Sequence, residues 1–247
     1  MYSFEINFYP QSFDSKFLDD FDWWQGCFMA ALANNGQILY SFINSVKYSN
    51  HYTCRVVVPE MDSLDEKYYN DSCKNMLHFV NERSVKPPDS SFIGENSHIT
   101  NGCICKNSSH YVLYTFYLGE QSPVICGDCL KGVAIYKLPN DSELRYFSWK
   151  WLHQACDRQF MNGIGERHGY KMMNDPKSAL SQEGLEICAN LEALVKKPVY
   201  YFLFKYYTKN KASCPKCGAD WINYDNKFHY GYVCHNCRLA SEDCGIS

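Results

Sequence analysis

Polar and apolar residues alternate with period two over residues 3–8 and Pro10 closes the run, which predicts a first strand. Phe17, Phe21, Trp24, Phe28 and Leu32 then recur at spacings of four and three, the apolar stripe of a helix. Asn34-Asn35-Gly36 stops that helix, because Asn and Gly tolerate the left-handed conformation. Residues 37–47 and 52–58 flank a turn at Ser49-Asn50 and predict a hairpin. Ser63-x-x-Glu66 has the capping-box pattern and opens a predicted helix that turns Tyr69, Cys73, Met76, Leu77 and Val80 inward. Pro87-Pro88 breaks the chain before a last strand at 91–94. The order βαββαβ predicts an α+β, ferredoxin-like N-terminal domain over residues 1–97.

Past Ser97 the pattern changes to cysteine turns, glycines and aromatic strands. Strands are expected at 111–118, 133–138 and 199–207, a helix at 147–161 and a loop at 162–169. Asp175-Pro176 offers a cap and a first-turn proline for a helix with Leu180, Ile187, Cys188, Leu191 and Val195 inward. Lys209-Asn210-Lys211 forms a polar hinge. The expected layout is the domain 1–97, a zinc-bearing α+β middle domain 98–208 and a C-terminal four-cysteine zinc ribbon 209–247.

The chemistry most visible in the chain is sulfur. Cys214-Pro215-Lys216-Cys217-Gly218 and Cys234-His235-Asn236-Cys237 are two knuckles separated by 16 residues, the length of one hairpin. Zinc takes four such ligands at tetrahedral angles, two from each turn. A segment of about 40 residues buries too little apolar surface to fold unaided, and zinc binding of ~10–16 kcal/mol makes up the difference. Cys103-x-Cys105 and Cys126-x-x-Cys129, with 20 residues between the pairs, predict a second site. Two structural Zn2+ ions are therefore expected, with His229, His235 and Cys244 as alternative donors to the C-terminal one, alternatives that its symmetric spacing speaks against. Cys27, Cys54, Cys73 and Cys188 fall on apolar faces and read as small hydrophobes.

Composition narrows the rest. The 247 residues are 46% hydrophobic and 21% charged, a foldable globular balance, and no apolar run is long enough to cross a membrane. The start, Met1-Tyr2-Ser3-Phe4-Glu5, lacks the features of a signal peptide, so a cytoplasmic protein with reduced thiols is expected. Residues 1–100 carry 13 acidic against 7 basic side chains, and residues 205–247 carry 6 basic against 4 acidic. That distribution favours a protein partner over a phosphate backbone. No His-Glu-x-x-His or deaminase pattern is present.

One polar constellation stands apart: His153, Cys156, Asp157, Arg158, Glu166 and Arg167. A Cys/His pair three apart on a helix could support nucleophilic chemistry, while a helix end tied to a glycine-rich turn explains the same residues structurally.

In combination, Asn35-Gly36-Gln37-Ile38, Cys126-Gly127-Asp128-Cys129, Tyr136-Lys137-Leu138-Pro139, Ala155-Cys156-Asp157, Gly163-x-Gly165-Glu166-Arg167, Tyr200-Tyr201 and Cys234-x-x-Cys237-Arg238-Leu239 resemble a bacterial family. That family is described as zinc-ribbon-containing, with nucleic-acid binding suggested and function unassigned. The resemblance implies a structural ribbon, a two-domain layout and no assigned catalysis. The expected function is non-catalytic macromolecular recognition. Nucleic acid would be met through Lys205, Lys209, Lys211, Lys216, Lys227 and Arg238, with Trp221 or Tyr224 stacking on bases. Alternatively, the acidic N-terminal domain would serve as an adaptor or an immunity- or antitoxin-like inhibitor of a protein. An enzyme built on Cys156, His153 and Glu166 is the third reading.

Overall fold

The computed structural model describes residues 1–97, 99–139, 145–224 and 228–243. Two compact units emerge: Met1–Gly102 with Ala134–Leu138, and Cys103–Val133 with Pro139–Ser247.

In the first unit β1 (Tyr2–Pro10), α1 (Ser15–Asn34), β2 (Asn44–Lys47), β3 (Tyr52–Val58), α2 (Asp71–Glu82) and β4 (Ser84–Glu95) follow in the βαββαβ order. The strands form an antiparallel sheet in the order β2-β3-β1-β4. Alternation along β1 sends Phe4, Ile6 and Phe8 into a core shared with Phe21, Phe28 and Leu32 of α1 and Cys73 and Val80 of α2. Asp14 caps α1 by accepting the Lys16 and Phe17 amides.

Three local expectations fail here. Ser63 does not cap a helix: its hydroxyl accepts the Glu60 amide at 2.9 Å and meets the Tyr136 hydroxyl at 2.7 Å. Asn70 caps α2 instead, bonding the Cys73 amide. Pro87-Pro88 does not break the chain, because β4 is an edge strand and a missing N–H on its outer side costs no ladder bond. The stretch 133–138 is no strand: residues Ile135–Lys137 make a 3-10 turn belonging to the first unit, where Tyr136 also donates to Glu60.

The second unit is built on a five-stranded sheet. Its strands are β5 (Tyr111–Leu113), β6 (Val124–Cys126), β7 (Val199–Phe202), β8 (Tyr232–Cys234) and β9 (Leu239–Ser241), in the order β6-β5-β7-β9-β8. β5, β7 and β9 run parallel, while β6 and β8 are antiparallel flanks. The terminal ribbon is thus not a separate domain: β9 hydrogen-bonds to β7 and continues the same sheet. β7 is buried on both faces, as its unbroken Val-Tyr-Tyr-Phe composition requires.

Helices α3 (Tyr146–Met161), α4 (Glu166–Asn174) and α5 (Ala179–Val195) complete the unit. α4 starts inside the stretch expected to be a loop, with Gly165 left-handed just ahead of it. Asp175-Pro176 precedes rather than begins α5, whose cap is Ser178. Lys150, Gln154 and Asp157 lie at i, i+4 and i+7 on α3 and are all buried. They clamp the loop 116–121 through its backbone: Lys150 donates to the Glu120 and Gln121 carbonyls, Gln154 to those of Phe116 and Gly119, and Asp157 accepts the Tyr117 amide.

Candidate metal centres

Each Cys-x-x-Cys turn is a small hairpin closed by residues five apart. The Cys126 amide donates to the Lys131 carbonyl at 2.9 Å and the Cys214 amide to the Ala219 carbonyl at 2.7 Å, while Cys234 pairs with Leu239 across β8–β9. The residue after the second cysteine is left-handed in all three turns: Leu130 (φ 57°), Gly218 (φ 76°) and Arg238 (φ 52°). Only one of these is glycine, so the other two pay a steric cost that the turn imposes. Arg238 is held there by a bidentate pair with Glu192 of α5, at 2.7 and 2.8 Å. Glu192 also accepts the Val199 amide at the start of β7.

These turns bring the sulfurs together in two groups, Cys103, Cys105, Cys126 and Cys129, and Cys214, Cys217, Cys234 and Cys237, with all ligand atoms of a group within 4.8 Å of one another. A tetrahedral ion with metal–sulfur bonds of about 2.3 Å sets sulfurs about 3.8 Å apart. The Cys217–Cys234 separation is 3.7 Å. The residues therefore fit a metal ion at each site, and four thiolates fill a tetrahedral shell.

Backbone and hydroxyl groups prepare the sulfurs for that role. The amides of Cys105 and Lys216 point at the sulfurs of Cys103 and Cys214. Burial pushes the Cys126 thiol up, but the Ser108 hydroxyl at 3.1 Å and the backbone amides of Cys129 and Asp128 outweigh it and bring the pKa to about 7. The Ala219 amide, together with Cys237, lowers Cys217 to about 7. Burial raises Cys103 and Cys237 above the ordinary thiol value.

Sheet geometry relates the two groups. Cys126 ends β6 opposite Tyr111, the first residue of β5, and Cys234 ends β8 opposite Leu239, the first residue of β9. Because β5, β7 and β9 are parallel, both knuckles lie at the same end of the sheet, on either side of β7. An aromatic wall fills the space: the His110 and Phe228 rings meet at a tilt with centroids 4.4 Å apart, and the Tyr200 hydroxyl meets Nδ1 of His235 at 2.7 Å. Gly127 is obligatory against this wall, since a Cβ there would sit 2.1 Å from the His110 ring.

The other expected site residues are scattered in role. Trp221, expected to stack on bases, is 2% exposed and donates its indole N–H to the Lys211 carbonyl, so it is core. Arg238 is committed to Glu192. Burial lowers the pKa of Lys205. Lys209, Lys211 and Lys216 are exposed, as is Tyr224, while Lys227 and Cys244 lie outside the described residues. His229 and His235 are not in the sulfur groups: His235 faces Tyr200 and His229 meets the Asp128 carbonyl.

In the polar constellation His153, Cys156 and Asp157 are buried and Arg158 and Arg167 exposed. Burial lowers His153 to about 4, and its Nδ1 finds no partner. Burial also raises the Cys156 thiol and, against the Tyr117 amide, the Asp157 carboxyl. Glu166 opens α4, and a Cβ on Gly169 would meet the Cys156 carbonyl at 2.3 Å. The segment is where α3 and α4 cross closely. Lys150 and Gln154 join Asp157 in a buried polar stripe at helical spacing, a pattern the sequence carries but the constellation read from it leaves out.

Residues 1–94 match a domain of unknown function, DUF8589, and residues 105–204 match another, DUF2310. No curated protein sequence matches the chain. A solved structure from Caulobacter crescentus CB15, provisionally described as an antibiotic biosynthesis monooxygenase, aligns over 38% of this chain and 89% of its own, at 13% identity and a TM-score of 0.32. Neither domain match assigns a function, and neither reaches the second sulfur group.

Proposed function

We propose that the chain is a non-catalytic recognition protein whose ions are zinc, both structural, and whose partner is a protein with a basic surface met by a ferredoxin-like N-terminal unit. The observation that carries this reading is Trp23 on α1, 67% exposed, with the exposed Asp19 one turn before it on the same face. Lys16 is the single base of that helix, against Asp19, Asp20 and Asp22. An exposed tryptophan beside the exposed carboxylates of Asp19 and Asp22 has the composition of an interface anchor, and that charge speeds encounter with an oppositely charged partner, while Asp20 is paired with Arg83.

The nucleic-acid alternative retains three exposed lysines and Tyr224, 79% exposed, but lacks its buried tryptophan and its paired arginine. A nucleophilic role for Cys156 is disfavoured by burial, which keeps its thiol protonated. Fluorescence anisotropy of the labelled, metal-loaded protein against an arginine-rich peptide and mixed single-stranded DNA and RNA separates the readings. Peptide binding that W23A abolishes supports the proposal. Nucleic-acid binding lost on neutralising Lys209, Lys211 and Lys216 would replace it.

A further inference from the structure

The four sulfurs of the C-terminal group are unequally sheltered. Cys214 and Cys234 are buried and Cys237 is half-buried, whereas Cys217 is exposed. The turn beside it is open as well, since a Cβ on the left-handed Gly218 would meet nothing within 4 Å. A small oxidant in solution therefore reaches the Cys217 sulfur ahead of the other three. The Cys234 sulfur stands 3.7 Å from it, close enough to act next. Thiolates are the species that peroxides attack, and a second sulfur beside the first converts the product to a disulfide.

The surrounding fold would register that change. Trp221 joins the segments that lead into the two turns: its amide donates to the Ala212 carbonyl at 3.1 Å, and its carbonyl accepts the Val233 amide at 2.7 Å. Its buried indole donates to the Lys211 carbonyl. The Cys214–Cys217 turn itself belongs to no strand of the sheet. Withdrawing two sulfurs from the shell thus loosens both turns and the tryptophan held between them.

We propose that the ribbon is an oxidant-sensitive switch in which Cys217 reacts first and Cys234 resolves it. The Cys217 thiolate attacks a peroxide oxygen; an S–O bond forms, the O–O bond breaks, and hydroxide leaves. The Cys234 thiolate then attacks the Cys217 sulfur; the S–S bond forms, the S–O bond breaks, and a second hydroxide leaves. The two thiolates give up two electrons, the peroxide takes them, and solvent protonates both hydroxides to water. The shell is left with two sulfurs and lets its ion go. The switch rests on the reading of this group as a zinc site.

The test adds hydrogen peroxide to the full-length, zinc-loaded protein, with a chromogenic chelator reporting release and peptide mass spectrometry mapping disulfides. Metal content is measured before the oxidant enters. Peroxide should release the ribbon equivalent together with a Cys217–Cys234 disulfide, and thiol reductant with added zinc should reverse both. Cys217→His removes the exposed thiol but keeps a shell of three cysteines and one histidine, a set that holds structural zinc. It should load like the wild type and release one equivalent fewer at the same peroxide concentration. The variant leaves Cys105, the exposed cysteine of the other group, untouched. A ribbon without zinc before oxidation would overturn both the switch and the zinc reading. A loaded ribbon that keeps its ion under peroxide, a disulfide that omits Cys217, or release unchanged by Cys217→His would overturn the switch alone.

Discussion

In the first unit Phe8, Phe21, Phe28, Leu32, Cys54 and Val80 are almost wholly buried around one sheet and two helices. Residues 205–243 of the second unit, by contrast, bury Trp221, Val233, Leu239 and Ala240 beside their cysteines. The first has an apolar core of its own, whereas the ribbon leans on β7 and on four cysteines placed to hold a metal ion. Metal removal is the strongest way to break this contrast. Chelation should strip amide protection from the ribbon while β1 and β3 stay protected, because it withdraws ~10–16 kcal/mol of binding energy. Hydrogen exchange read by mass spectrometry distinguishes this from parallel loss in both units.

Next in size is Gly127→Ala, which drives a methyl group into His110. It should destabilise the second unit by about 3 kcal/mol and release one metal equivalent, measurable by elemental analysis, with the other retained. Polar burial is the second unit's other mark, and His153 sharpens it. With a folded pKa near 4 against an ordinary 6.5, the unfolded chain takes up a proton between those values and the folded one does not. Stability therefore falls as pH drops through that window. Replacing His153 by Phe should reduce the loss between pH 7 and 5 by on the order of 2 kcal/mol in urea titrations. Smallest is Glu192→Gln, which weakens a partly exposed pair and should cost about 1 kcal/mol, with thermal unfolding of the second unit as the readout.

Where one physical term dominated, the sequence was readable. The stripe Phe17–Leu32 and the alternation along β1 announce themselves because burial alone decides them, and the eight cysteines because tetrahedral metal coordination demands their spacing. The failures lie where distant partners compete for a local signal. Ser63 looks like a helix cap until Tyr136, 73 residues away, claims its hydroxyl. Pro87-Pro88 looks like a breaker until the strand proves to be an edge. Trp221 looks like a base reader until the Lys211 carbonyl takes its indole N–H. Arg238 looks like a phosphate contact until Glu192 is found on another element.

Four sulfurs closing each of two metal shells is the arrangement on which the recognition role rests. X-ray absorption on the purified protein, combined with elemental analysis, tests it most directly. Two zinc equivalents per chain, each with four sulfurs at about 2.3 Å, are expected. A first shell containing oxygen, or fewer than two equivalents, would contradict it.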